Sequence, residues 1–349
     1  MTTKEKVLEL FERNKGVFFS GEELAQKISV SRAAVWKAVN ALRNEGYSIE
    51  AVTNKGYCLS ENTDIISVQG IQKYLSKENA DLNIEVLQSI GSTNTYIKEK
   101  ANEVADGYVV VANEQTNGRG RFGRAFYSPA GSGFYLSILL RPSQYTAEKA
   151  VRLTTQAAVA MCEAIEEVAN VDAKIKWVND IFVNGSKVCG ILTEASFDLE
   201  SGFLEYAVVG VGLNVYSPDG DFPEELKEIA GCILGDSNTD AKNRLIGSFL
   251  NRFLAYYSAS NQDEYVKKYR ARSFLIGKSI TVISGNEQKN AVAYGMDDEC
   301  HLLVRYEDGQ EEALAHGEVS VRDGSFATRS ATAHCCRMWK LPRSSRRAK

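Results

Sequence analysis

The chain has 349 residues, 44% of them apolar and 25% charged, and its 41 Lys and Arg against 45 Asp and Glu leave a formal net charge of −4. These are the proportions of an ordinary soluble globular protein, long enough for two or three domains. No apolar run approaches the roughly 18 residues of a membrane span, and Met1–Lys6 lacks the apolar core of a signal peptide, so a cytoplasmic protein with no membrane partner is expected.

The first 60 residues read as a small helical unit with a hairpin. Val7, Leu8, Leu10 and Phe11 give Glu5–Asn14 a helical apolar face. Ser20 is placed to cap a second helix that runs to Ile28, with Glu23 at the capping-box position, and Ser31 to cap a third, Arg32–Asn44, that stops at Gly46. Two short helices joined by Ser29-Val30 form a helix-turn-helix, with Ala25, Ile28, Val35, Val39 and Leu42 as its packed seam. Tyr47–Val52 and Tyr57–Leu59 then make a β-hairpin wing. Ser31, Arg32, Trp36, Lys37 and Asn40 face outward on the third helix and are the expected DNA-contacting residues. With nine basic and eight acidic residues through Glu61, charge alone leaves a protein-contact module open; the grouping of Arg32, Lys37 and Arg43 favours DNA. Residues 1–62 are assigned to this unit, followed by a linker at Glu61–Asp64.

Residues 65–271 alternate strands and helices. Strands are expected at Ile84–Leu87, Tyr108–Ala112, Phe134–Leu140, Lys174–Trp177, Ile181–Val183, Lys187–Glu194 and Tyr206–Asn214, and helices at Asn94–Val104, Glu148–Val168, Lys242–Tyr257 and Asp263–Ala271. This is an α/β domain on a mixed sheet. Over 272–324 the pattern changes to short strands, at Ser279–Ile283, Ala291–Tyr294, Leu302–Tyr306 and Glu318–Arg322, four or five in all, which points to a small SH3-like β-barrel. Residues 325–349 hold seven Lys and Arg and no Asp or Glu, leaving 34 basic against 45 acidic groups elsewhere. That tail has no periodicity and is expected to be disordered; a nucleic-acid-binding arm and a vector-derived or frame-shifted extension are both open, and it is left out of the fold.

Seven cysteines, an odd number without a C-x-x-C, indicate reduced thiols rather than a disulfide frame; the pair Cys335-Cys336 beside His334 has no fourth metal ligand nearby. All three histidines, His301, His316 and His334, fall after residue 300, which argues against Ser–His or Cys–His catalysis centred earlier in the chain.

The densest chemistry lies in Gly118-Arg119-Gly120-Arg121-Phe122-Gly123-Arg124, between two apolar strands. Glycines let backbone N–H groups approach a ligand, and each guanidinium offers a planar fork for phosphate oxygens, so an anion clamp is expected. The G-x-G-x-x-G spacing does not mark a dinucleotide site here, because Ala125-Phe126-Tyr127-Ser128-Pro129, not a helix, follows it. Three further segments stand out. Ser92-Thr93-Asn94 opens a helix, Gln115-Thr116-Asn117 can donate and accept at a cyclic amide or urea, and Lys176-Trp177-Val178-Asn179-Asp180 puts an ammonium, an amide and a carboxylate at a strand end. Lys187 enters the apolar strand Val188–Leu192, where a lone ammonium requires an anionic partner.

These segments, together with Gly210-Val211-Gly212-Leu213-Asn214, resemble the biotin–protein ligase family, and with the winged helix the bacterial ligases that also repress biotin genes. The likeness spans residues 1 to about 323. Val178 stands where the family usually has proline, which removes a stiffening element. The resemblance implies biotin, ATP and Mg²⁺ as substrate and cofactors, a biotinyl-5′-AMP intermediate, and transfer to a lysine of the biotin carboxyl carrier protein of acetyl-CoA carboxylase. It also implies operator DNA as a partner and a homodimer formed on binding biotinyl-AMP. Carried over by motif, Ser92, Thr93, Asn94, Gln115, Gly118, Arg119, Gly120, Arg121, Lys187, Gly190 and Gly210 would bind biotin. Arg119, Arg121, Arg124, Lys176, Asn179 and Asn214 would bind the nucleotide; Lys187, Arg119, Arg121 and Asp180 would be catalytic, and Asp180 would hold Mg²⁺. A non-catalytic ligand-sensing repressor and a lipoyl- or octanoyl-type transferase are the alternatives.

Overall fold

The computed structural model describes residues 1–142, 145–198, 200, 202–235, 240–285 and 287–321. The basic tail and the Cys335-Cys336 pair lie outside the described residues. The N-terminal unit comprises α1 (Thr3–Glu12), α2 (Gly21–Ile28), α3 (Arg32–Asn44), β1 (Ile49–Val52) and β2 (Gly56–Leu59). The first helix begins two residues before Glu5 because Thr2 and Glu5 form a capping box, like Ser20 and Glu23 on α2. Val7, Phe11, Leu24, Val35, Val39, Leu42 and Leu59 make a core of its own. Ala25 joins it, whereas Ile28 packs at its margin. In the hairpin, a Cβ on Gly56 would lie 2.0 Å from the Phe19 carbonyl oxygen, so only glycine fits where β2 meets the Phe19 bridge.

The central elements are α4 (Val68–Gln72), β3 (Ile84–Leu87), α5 (Thr93–Glu99), β4 (Val109–Ala112), β5 (Gly133–Leu140), α6 (Ala147–Ala169), β6 (Ala173–Lys176), β7 (Asp180–Val183), β8 (Ser186–Phe197), β9 (Leu204–Asn214), α7 (Ala241–Ser258) and α8 (Asp263–Arg272). The seven strands run in the order β3-β4-β5-β9-β8-β7-β6. Only β3 and β4 are parallel, so the sheet is mixed as expected. Alternation along the strands divides two apolar faces: Val109 and Val111 join the large core under α6 and α7, while Val110 joins Ile97 of α5 and Ala101 just past its end on the other. Helix α5 ends at Glu99, five residues short of Val104. The site sits on the α5 side.

Beyond α8, β10 (Ser279–Ser284), β11 (Glu287–Met296), β12 (Leu302–Tyr306), β13 (Glu311–Leu314) and β14 (Glu318–Val321) form an antiparallel sheet in the order β13-β12-β11-β10-β14. Among the described residues no pairing of β13 with β14 closes it into the barrel anticipated from strand spacing.

The winged helix is joined to the central elements by charge. Glu12 of α1 meets Lys73 at 2.7 Å, and Lys15 meets Asp240, the N-cap of α7, at 3.0 Å. Lys73 also pairs with Asp240, and the Lys15 ammonium donates to the Thr63 carbonyl at 2.6 Å. Glu12 is almost wholly buried here, which is tolerable only because both ammonium groups face it. Next to it, Asp64 accepts from the Tyr216 hydroxyl at 2.5 Å and from the Lys242 backbone N–H at 3.0 Å.

Candidate functional site

A cavity of about 1000 Å³ opens between the α5 side of the sheet, the 118–126 loop, the 222–230 segment and the edge of the C-terminal sheet. One end is built from hydroxyls and amides. Ser92 caps α5, its hydroxyl accepting from the Thr95 N–H at 3.5 Å, and the turn places Thr93 against Gln115. Gln115 Oε1 accepts from the Thr93 N–H at 2.9 Å and from its hydroxyl at 3.0 Å, while Gln115 Nε2 donates to Ser128 Oγ at 3.2 Å. Ser128 passes its own proton to the Phe126 carbonyl. The orientation of the Gln115 amide is therefore fixed. Asn94 is held on three sides, by Ser137, by the Leu192 carbonyl and by Glu194, with Lys98 pairing the far oxygen of Glu194 at 2.6 Å. Burial works to raise the Glu194 carboxyl, but the Lys98 and Asn94 hydrogen bonds overcome it and hold the group below the usual carboxylate range.

Glycines make the floor. A Cβ at Gly210 would lie 2.1 Å from Asn94 Oδ1, one at Gly212 2.4 Å from the Phe126 ring, and one at Gly118 2.5 Å from the Phe126 carbonyl oxygen. Gly190 lies beneath the same ring, with Phe126 3.1 Å from where its Cβ would be. Gly120 is under no such constraint, since a Cβ there would make only ordinary contacts.

The other end is cationic. The glycine–arginine loop is a closed hairpin, with the Gly120 N–H on the Arg124 carbonyl and the Phe126 N–H on the Gly118 carbonyl. Its three arginines do not form one open clamp. Arg119 is exposed, but Arg121 donates to Asn179 Oδ1 at 3.0 Å and to the Gly317 carbonyl at 2.9 Å, and Arg124 pairs with Glu318 of β14 at 2.6 Å. Burial draws the Arg121 guanidinium below its ordinary range, opposed by Asp180 and Glu318. Lys187 finds the partner its apolar strand demanded: Nζ is 2.7 Å from Asp180 Oδ1, an ion pair created where a bulge between Ile181 and Phe182 shifts β7 against β8. Half-buried Lys176 lies in the same field, its ammonium disfavoured by burial and by Lys187 though supported by Asp180. Asn179 donates to the Ile191 carbonyl, and Asn214 to that of Gly231. The Trp177–Val178 peptide bond is cis, with Val178 in the position of the usual proline.

Comparison with known proteins decides the family. The chain matches the biotin/lipoate A/B protein ligase family over residues 86–214, an HTH domain over 3–58, and the biotin protein ligase C-terminal domain over 275–322. The bifunctional ligase/repressor BirA of Bacillus subtilis is 40% identical over 316 residues, 88% of this chain and 95% of that protein. The chain belongs to the bifunctional biotin ligase/repressor family. The biotin–[acetyl-CoA-carboxylase] ligase of Mycobacterium tuberculosis is 30% identical over 68% of this chain and 88% of its own length. The biotin protein ligase of Aquifex aeolicus, in complex with biotin and ATP, superposes with a TM-score of 0.57 at 26% identity, covering 69% of this chain and 98% of that one.

In this ligase/repressor chain every central residue expected in the site lines the cavity except Gly118, which lies under the Phe126 carbonyl. Sequence reasoning missed Ser128 beside Gln115, Ser137 beside Thr93, and Phe126 over Gly190 and Gly212, as well as Gly317 and Glu318, which engage the arginines. Ser137, the one aliphatic hydroxyl in the apolar run Phe134–Leu140, was a usable signal; the C-terminal contacts had none. On the winged helix, Trp36 and Lys37 are exposed, while Ser31 Oγ caps α3 and Arg32 lies 3.8 Å from Glu22. Asn40 is half-buried. Arg43 does not join the outward cluster: it turns back to donate twice to the Ile49 carbonyl on the wing.

Proposed function

We infer that this protein activates biotin with ATP to biotinyl-5′-AMP, releasing pyrophosphate, and then passes biotin to a lysine of a carrier protein, while its winged helix makes it a repressor. The observation that carries this reading is the joining, within one cavity, of a fixed Thr93–Gln115–Ser128 hydrogen-bond set to a cationic end holding Lys187, Lys176 and Arg121. The first end suits a ureido ring. The second suits a carboxylate beside a polyphosphate, two anions that repel unless cations lie between them. In the first step a carboxylate oxygen attacks the α-phosphorus and pyrophosphate leaves; Lys187 stabilises the charge that develops there, and Arg119 and Arg121 stabilise the phosphates. In the second, the carrier amine attacks the mixed anhydride, loses a proton and displaces AMP.

Mg²⁺ enters with ATP. Among the described residues no group of three or more His, Cys, Asp or Glu is arranged to hold a metal alone, which fits an ion carried largely by phosphates and one carboxylate. Asp180, whose Oδ1 is buried beside the Lys187 ammonium at 2.7 Å, would be that carboxylate. Ser92, Thr93, Asn94 and Gln115 surround biotin above Gly190 and Gly210, and Arg124, Lys176, Asn179 and Asn214 attend the nucleotide. The carrier is the biotin carboxyl carrier protein of acetyl-CoA carboxylase. Free Cys58, Cys162, Cys189, Cys232 and Cys300 fit the reducing cytoplasm.

A winged helix of nearly balanced charge neutralises few phosphates, so operator binding needs two half-sites and a homodimer, favoured when biotinyl-AMP orders the loops around it. The test is pyrophosphate release from ATP by purified protein, dependent on biotin, followed by transfer of label to the carrier; absence of both overturns the reading.

A further inference from the structure

Along the cationic end of the cavity runs the Lys176–Asp180 segment, and it is held from behind by groups that the reaction described so far does not use. The indole Nε1 of Trp177 donates to the Cys300 carbonyl at 3.0 Å. One residue on, the Val178 carbonyl accepts from the hydroxyl of Tyr269, also at 3.0 Å. Tyr269 is on α8, is fully buried, and has burial to keep its phenol protonated and so a donor. Its neighbour Arg270 grips the Asp297 carbonyl in the turn that presents Cys300, so α8 and that turn form one bracket around the segment. Immediately beyond Val178 come the two residues that face the cavity: Asn179, which takes a hydrogen bond from Arg121 and gives one to Ile191, and Asp180, paired with Lys187.

We propose that Tyr269 is a positioning residue for adenylate formation: its hydroxyl fixes the Val178–Asn179 peptide plane and thereby sets Asn179 against Arg121 and Asp180 against Lys187. This rests on the ligase reading above. Without the hydroxyl the Val178 carbonyl is a buried acceptor with no partner, and the plane turns to find one. Asn179 and Asp180, the partners of Arg121 and Lys187, are then displaced together, although Tyr269 itself does not line the cavity. Tyr265, one turn earlier on α8 and almost as completely buried, supplies an internal comparison, since its hydroxyl makes no bond to the 176–180 segment.

The experiment uses the full chain, with single-turnover formation of biotinyl-AMP from biotin and MgATP and, separately, calorimetric binding of biotin. Rates are compared below each variant's melting temperature, so that loss of fold cannot stand in for loss of position. Tyr269→Phe is expected to slow adenylate formation about tenfold or more, the scale of a small misplacement of reacting groups, with biotin affinity held within about twofold, and Tyr265→Phe to change neither. Equal rates for Tyr269→Phe and wild type, or equal losses in both variants, overturn the proposal and leave Tyr269 a packing residue. Failure of wild-type protein to form adenylate is a separate result, and overturns the ligase reading instead.

Discussion

Lys187 and Asp180 sit 2.7 Å apart, so each neutralises the other, and phosphate charge competes with Asp180 for the ammonium. Lys187→Ala is therefore expected to slow adenylate formation about a hundredfold, the scale of removing one preorganised electrostatic group, while biotin affinity changes much less. A rate within about threefold of wild type in single turnover would make the pair structural. At the opposite end, Gly210→Ala puts a methyl where Asn94 Oδ1 already lies, 2.1 Å from the new Cβ. Asn94 must swing away from Ser137 and Glu194, and biotin affinity is expected to fall about tenfold, roughly 1.4 kcal/mol; calorimetry with a parallel melting curve separates this from loss of fold. Glu194 has its own signature in pH. Its folded carboxyl is held below 4.5, so its contribution to stability is complete above that value and is lost as pH falls through the depressed one. Glu194→Gln should thus lower the melting temperature at neutral pH, and the gap from wild type should close in acid.

At the level of elements, the arginine hairpin is tied to β14 through Arg121 to Gly317 and Arg124 to Glu318. Cutting one tie by Glu318→Ala should speed dissociation of biotinyl-AMP several-fold with little change in melting, since the pair is partly exposed; an unchanged release rate would show that the hairpin needs no support from the C-terminal sheet. These ties join residues 196 and 194 positions apart in the chain, and nothing local in either segment announces them. What periodicity could announce it did: β3 and β12 lie at the expected bounds, because each is a short apolar run between polar turns. Helix α4 had no such signal, being five residues with a glycine at its centre. Strand β13, Glu311-Glu312-Ala313-Leu314, is a charged, mostly exposed edge strand, a composition that disguises strands from any rule based on burial. The site was legible where side-chain type dictates chemistry, as with Gln115, Lys187 and Asp180. It was not legible where a residue matters through what it packs under, as with Phe126 over Gly190 and Gly212.

For the whole molecule, deleting residues 1–62 removes Glu12 and Lys15 but leaves Lys73 and Asp240 still paired with each other. The remainder is expected to keep ligation and to lose operator binding, which gel shift and label transfer would report together; loss of ligation as well would show that the winged helix helps to hold the catalytic fold. The same cluster has a geometric corollary. Glu12 on α1 and Lys15 just past its end are bound to Lys73 and to the N-cap of α7, so the recognition helix is fixed in angle to the body that carries it. A reading head that cannot swivel works as a ruler. In the proposed dimer, the distance between two recognition helices is then a property of the interface alone, and an operator should tolerate changes of base within its spacer far better than changes of spacer length. Inserting about five base pairs, half a helical turn, should abolish binding by the native protein, and Lys15→Ala with Lys73→Ala, which frees the head, should recover part of it.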